Sequence, residues 1–205
     1  MSDQIQRINA NHQKILKLPG KQLECVFGSD KHNFKINPPA TPNQIIEHEQ
    51  KYRFNFPEGY RRFILEVGDG GAGPFHGIKQ WFTEPGATLR HGEAKHFHRE
   101  SIYQAPCPAN EKWQNIVIGS NYQGIEENDD AIYLQGNMVI FELGCGIEGV
   151  LVLNGLMTGA VCITDHGSTP YSFWEPPLFL DFYEAWQEAV LSGRHKHNFG
   201  LSITN

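Results

Sequence analysis

Four stretches of this sequence carry residue types at spacings that could do chemistry. The first, Gly68-Asp69-Gly70-Gly71-Ala72-Gly73-Pro74, opens with G-x-G-x-x-G, and Glu93 stands 20 residues beyond Gly73. In a dinucleotide-binding turn such glycines follow a strand and launch a helix, so that the pyrophosphate meets the helix N-terminus and an acid takes the ribose hydroxyl. The second, "HGEAKHFH", holds His91, Glu93, His96 and His98. On a strand His96 and His98 share a face and His91 could join them from a loop, which is a zinc-type donor set. Lys95 and Arg99 oppose a cation there, H-x-H is a common pattern, and no metal is expected. The third pairs Cys145 with Asp165 and His166. A thiol nucleophile needs a base within hydrogen-bond reach and a donor for the oxyanion, whereas Asp165 and His166 point to opposite faces of one strand. A buried small thiol beside a turn is the expectation. The fourth, "QGIEENDDA", packs Glu126, Glu127, Asp129 and Asp130 together without the D-x-D-x-D-G spacing of a calcium loop. It reads as a solvated turn, or as an acidic patch that imitates phosphates for a basic protein.

The elements around these residues decide between the readings. Ile5, Ile8, His12, Ile15 and Leu16 recur at helical spacing and predict a short helix ending before Pro19-Gly20. "ECVFGSDKHNFKI" fits a short strand, a turn and a second strand. Thr41-Pro42 opens a helix with Ile45, Ile46, Glu49 and Tyr52 on one side. Pro57 opens another, with Tyr60, Phe63, Ile64 and Val67 as its apolar stripe and Gly68 as an expected left-handed terminator. The glycines therefore follow a helix and are closed by Pro74, so the dinucleotide reading fails and no cofactor is expected. "FHGIKQW" fits a short strand. "NIVIGS", "DAIYLQG", "MVIFELG", "GVLVLNG" and "AVCITDHG" read as short strands separated by Gly, Asn and Asp. "PPLFLDFYEAWQEAVLSG" closes as a helix with Phe179, Phe182, Tyr183, Trp186, Ala189 and Val190 on a broad face and Gly193 as terminator. The tail "RHKHNFGLSITN" reads as polar. The order helices, antiparallel sheet, helix predicts an α+β fold.

Composition narrows the function. The chain has 205 residues, 40% of them hydrophobic, enough for one packed domain. No apolar run reaches membrane-spanning length, and the first residues lack an apolar signal core, so a soluble cytoplasmic protein with four reduced cysteines is expected. The net charge of −6 is unevenly spread: Trp113 to Gly193 contains no Lys or Arg but 11 Asp and Glu. Such a half-chain repels nucleic acid and anionic membrane and attracts basic proteins. Neither nucleic acid nor membrane is expected as a partner.

"NPPATPNQIIEHEQKYRFNFPEGYRRFILEVGDGGAGPFHGI" resembles the SUKH superfamily, in particular its Smi–Knr cell-wall-regulator branch and the bacterial relatives. "ELGCGIEGVLVLNGLMTGAVCITDHG" is similar to that family's Gly-Cys-Gly turn and following strands, and "FLDFYEAWQEAVL" to its closing helix. Together they cover most of residues 34–191; segment 83–112 matches least. The resemblance implies a curved, largely antiparallel sheet packed by N-terminal helices and a C-terminal helix. It also implies a non-enzymatic role, since bacterial members commonly bind and neutralise a toxin domain, often a nuclease, and fungal relatives act as regulatory hubs.

The expected organisation is an N-terminal helix and lead-in strand over 1–33, a SUKH-like domain over 34–191 and a polar tail over 192–205. Pro57, Tyr60, Phe63, Gly68, Gly70, Gly71, Gly73 and Pro74 read as fold determinants. Glu126, Glu127, Asp129, Asp130 and Glu148 are the candidate partner-binding residues, with Tyr122 or Trp174 as apolar anchors. The expected function is that of an immunity protein binding a basic toxin domain. The alternatives are a regulatory interaction module, or an enzyme using Cys145 and His166 or a metal on the histidine cluster.

Overall fold

The computed structural model describes residues 2–82, 103–104, 106–107, 136–144, 147–165 and 169–194, with backbone alone over 164–165 and 169–177. Ile5, Ile8 and Ile15 give α1 (Ser2–Ile15) one apolar face, and all three are buried. The strand pair expected over residues 24–36 is absent: α2 (Gly20–Glu24) ends where the stretch begins, α3 (Ser29–His32) takes its middle, and Ile36 makes an isolated bridge to Gly71. The stretch has few β-branched residues, and Asp30 in the first turn of α3 with Lys31 and His32 in the last suits the helix dipole. Gly28 and Asn33, both left-handed, bound α3 on either side.

Helix α4 (Pro42–Tyr52) begins as its sequence predicts. Thr41 forms a reciprocal capping box with Gln44, the Gln44 amide donating to the hydroxyl at 3.3 Å and the Thr41 amide donating to Gln44 Oε1 at 2.8 Å, with Pro42 in the first turn. Ile45 is buried, but Ile46 is 41% exposed, so the two do not share a side. Helix α5 (Glu58–Glu66) follows Pro57 and buries Tyr60, Phe63 and Ile64.

Strands β1 (Asn137–Gly144), β2 (Ile147–Val152), β3 (Ala160–Asp165) and β4 (Thr169–Leu178) form one antiparallel sheet in chain order. Register shifts interrupt the β1–β2 and β3–β4 ladders, and such irregularities bend a sheet. β4 is the strand that sequence patterning overlooks, because Pro170, Pro176 and Pro177 lie within it. Proline cannot donate to a ladder and is confined to borders and irregularities, and β4 ends the strand order among the described residues.

Helix α6 (Phe179–Ser192) follows β4 directly and packs on α1, α5, β3 and β4. Its aromatic face is the centre of the core. Phe179 meets Tyr60 edge-on with centroids 4.7 Å apart, Tyr183 lies 4.7 Å from Phe63, and Phe182 stacks on Phe141 at 5.5 Å. Each large side chain so buried contributes about 1.5–3 kcal/mol of hydrophobic stabilisation. Gly193 ends α6 in the left-handed conformation, as expected. The fold is α+β: N-terminal helices, an antiparallel sheet and a C-terminal helix packed against α1.

Candidate interaction surface

The chain leaves α5 through the glycine turn. Gly68 is not the left-handed terminator its position predicts: the helix ends at Val67 with φ −111°, and Gly68 is absent from the positive-φ glycines. Glycine is needed there for a different reason, because a Cβ would overlap Ile36 and the Asn37 carbonyl. Gly71 combines both demands, with φ +100° and a Cβ that would overlap the Lys35 carbonyl. Around it, Ile36 and Ile78 each form a β-bridge to Gly71. Gly70 faces the carbonyls of Ile78 and Lys79, and Gly73 faces the Ile78 side chain, so neighbouring segments fill the space on every side. The Tyr183 hydroxyl donates to the Ala72 carbonyl at 2.8 Å, fastening the turn to α6. Pro74 precedes a stretch whose amides reach the sheet: His76 donates to the Glu142 carbonyl and Lys79 to the Ile140 carbonyl.

Asp69, fully buried, is the chemical centre of this turn and was not singled out by motif. Its carboxylate accepts from the backbone amides of Trp81 at 2.9 Å and Phe82 at 2.6 Å. The indole of Trp81 in turn donates to the Tyr60 hydroxyl at 3.0 Å. Burial, and secondarily Asp69, push the Tyr60 hydroxyl far above its ordinary range, so it stays protonated. The acid of the G-D-G-G motif thus organises the backbone after the turn.

One end of the sheet gathers acidic positions. Glu142 on β1 lies directly opposite Glu148 on β2, and Ile147 lies opposite Asp165 on β3. Like charges facing across a ladder oppose pairing. Lys79 offsets this, its ammonium 2.6 Å from Glu142; the lysine side chain is 8% exposed and the glutamate 51%. Glu148, predicted to bind a partner, is half-buried at this end. Only the register reveals the Glu142–Glu148 opposition, so periodicity could not have found it.

The helical side holds buried histidines. His48 sits among Tyr52, Phe56, Trp81 and Phe82, with centroids 4.6 to 5.8 Å away, and burial lowers its pKa to about 4. His32 is likewise lowered to about 4 by burial; its Nδ1 accepts from the Phe34 amide at 3.0 Å. Both are neutral near pH 7, and His48 Nε2 and His32 Nε2 have no hydrogen-bond partner among the described residues.

Glu126, Glu127, Asp129, Asp130, Tyr122, His91, Glu93, His96, His98, Cys145 and His166 lie outside the described residues, as does the side chain of Trp174. Among the described residues no disulfide joins Cys25, Cys107 and Cys162, and no group of three His, Cys, Asp or Glu is placed to hold a metal ion. No helix among them is long and apolar enough to cross a membrane. Compared with protein-family models, with curated proteins and with solved structures, the chain finds no match.

Proposed function

We propose that the chain is a non-enzymatic, cytoplasmic binding protein of the SUKH type that neutralises a basic toxin domain by covering its active surface. The observation that carries this reading is the run from Trp113 to Gly193, which holds 11 acidic residues and no Lys or Arg. Lys79 and Arg7, from outside the run, pair with its Glu142 and Glu184, and the remaining excess of negative charge speeds encounter with a basic protein and selects against acidic ones. The run includes β1 to β4 and all of α6, so the acidic positions Glu142, Glu148 and Asp165 at the sheet end belong to it. Glu126, Glu127, Asp129 and Asp130 add the densest charge in sequence, and Tyr122 and Trp174 supply aromatic anchors.

Affinity capture from source-cell lysate at low salt tests the reading. The expected outcome is a basic protein, eluted by high salt, that kills cells when expressed without this chain. Replacing Glu126, Glu127, Asp129 and Asp130 by Gln or Asn weakens its binding about tenfold and flattens the salt dependence. Recovery of a basic partner that is harmless when expressed alone would move the protein to the class of regulatory modules.

A further inference from the structure

We propose that the groove between the first turns of α5 and α6 is a docking site for a basic side chain, arginine or lysine, presented by a protein partner. The groove has a volume of about 290 Å³. Its floor is apolar, made by Pro57, Tyr60, Leu178 and Leu180, and the β2–β3 loop closes one side through Thr158 and Gly159. That size lies at the small end of ligand pockets and suits one long side chain.

Two glycines hold the groove open from opposite walls. A Cβ on Gly159 would lie 3.6 Å from Pro57 Cβ and 3.7 Å from Leu178 Cδ2, and one on Gly59 would lie 3.4 Å from Leu180 Cγ. Gly159 has φ +90°, which gives it a backbone reason to be glycine. Gly59 has none: it is helical, and its Cβ would make ordinary contacts. What glycine preserves at this position is the gap beside Leu180 that a methyl group would fill.

The rim is acidic. Glu58 and Asp181 stand in the first turns of α5 and α6 and line the groove, and no Lys or Arg among the described residues does. The helix dipoles favour both carboxylates where they are. Neither has a salt-bridge partner within 4 Å among the described residues, although Arg62, paired with Glu66, also acts on Glu58 at longer range; Glu184 is paired with Arg7. Asp181 Oδ1 accepts from the neutral amide of Gln4, at 2.6 Å. A basic side chain would lay its aliphatic stem on the floor and its charged head between the two carboxylates. Leu178, 51% exposed, and Leu156, 89% exposed and two residues before Thr158 in the same loop, provide apolar surface for the residues flanking it.

The inference rests on the reading of a basic protein partner and names a face for it. It is tested on the full ¹⁵N-labelled chain by titration at low salt with the capped peptide acetyl-Leu-Arg-Leu-amide and with its glutamine counterpart. The arginine peptide is expected to move the amide signals of Gly59, Thr158, Gly159 and Asp181, and the glutamine peptide to leave them in place. The double variant Glu58→Gln, Asp181→Asn weakens binding about tenfold. Gly59→Ala, which keeps the fold, and Thr158→Trp on the exposed loop each reduce it by filling the groove. Equal shifts from the glutamine peptide overturn the proposal. Arginine-dependent shifts confined to other residues overturn the groove but leave the basic partner standing, and no arginine-dependent shift anywhere overturns both.

Discussion

Gly71 and Gly59 lie at the two ends of the same short stretch of chain, yet their surroundings are opposite. Gly71 is enclosed by backbone: bridges to Ile36 and Ile78 flank it and the Lys35 carbonyl occupies the place of a side chain. Gly59 borders a recess into which a methyl group would fit without overlap. The first glycine is required by the fold and the second is not. A glycine-rich motif therefore says little about binding until each Cβ position has been examined. The conspicuous G-x-G-x-x-G run is filled by its own chain, while the inconspicuous glycine of Pro57-Glu58-Gly59-Tyr60 leaves room for a methyl group against Leu180.

Substitution sharpens this contrast most directly. Gly71→Ala meets both a left-handed φ and backbone overlap and is expected to cost about 3 kcal/mol or more, read from chemical denaturation. Gly59→Ala is expected to raise stability by up to about 1 kcal/mol. Equal effects at the two positions would abolish the distinction. Asp69→Asn comes next. The amide retains one acceptor for Trp81 or Phe82 but turns a donor toward the other, a loss of about 2 kcal/mol. A neutral result would mean that the turn does not depend on its acid.

A pH dependence belongs to the enclosed side, since no histidine among the described residues lines the groove. Unfolded histidine takes up a proton near pH 6.5, whereas folded His32 and His48 resist until about 4. In that window the unfolded chain binds more protons, so stability is full above about pH 6.5 and falls as pH drops toward 4. The denaturant midpoint should be lower at pH 5 than at pH 7, and His48→Leu should reduce the difference. A variant with an unchanged difference would exclude His48 as a contributor.

Features with a local physical cause were legible in the sequence. Thr41-Pro42 with Gln44 contains its own capping chemistry, Gly193 follows the last apolar turn, and the period of Phe179, Phe182, Tyr183 and Trp186 gives the face of α6. Features set by distant partners were not. Gly68 answers to Ile36 and Asn37 some thirty positions earlier. Glu142 and Glu148 meet only because of the β1–β2 register, and Lys79 reaches them from the far side of the glycine turn. β4 was concealed by prolines, which suit the strand that ends the order among the described residues. The candidate surface was legible as charge and not as shape: α5, the β2–β3 loop and α6 each look ordinary, and their convergence makes the groove.

The amides of His76 and Lys79, donated to the Glu142 and Ile140 carbonyls, have a consequence for aggregation. A sheet border with free carbonyls is a template on which another chain can polymerise, and Met138-Val139-Ile140-Phe141 is an apolar, charge-free segment suited to it. In the native molecule that border is already occupied by the chain leaving the glycine turn. Loosening the turn uncovers it, so damage at Gly71 should convert a loss of stability into precipitation, at a site remote from any partner.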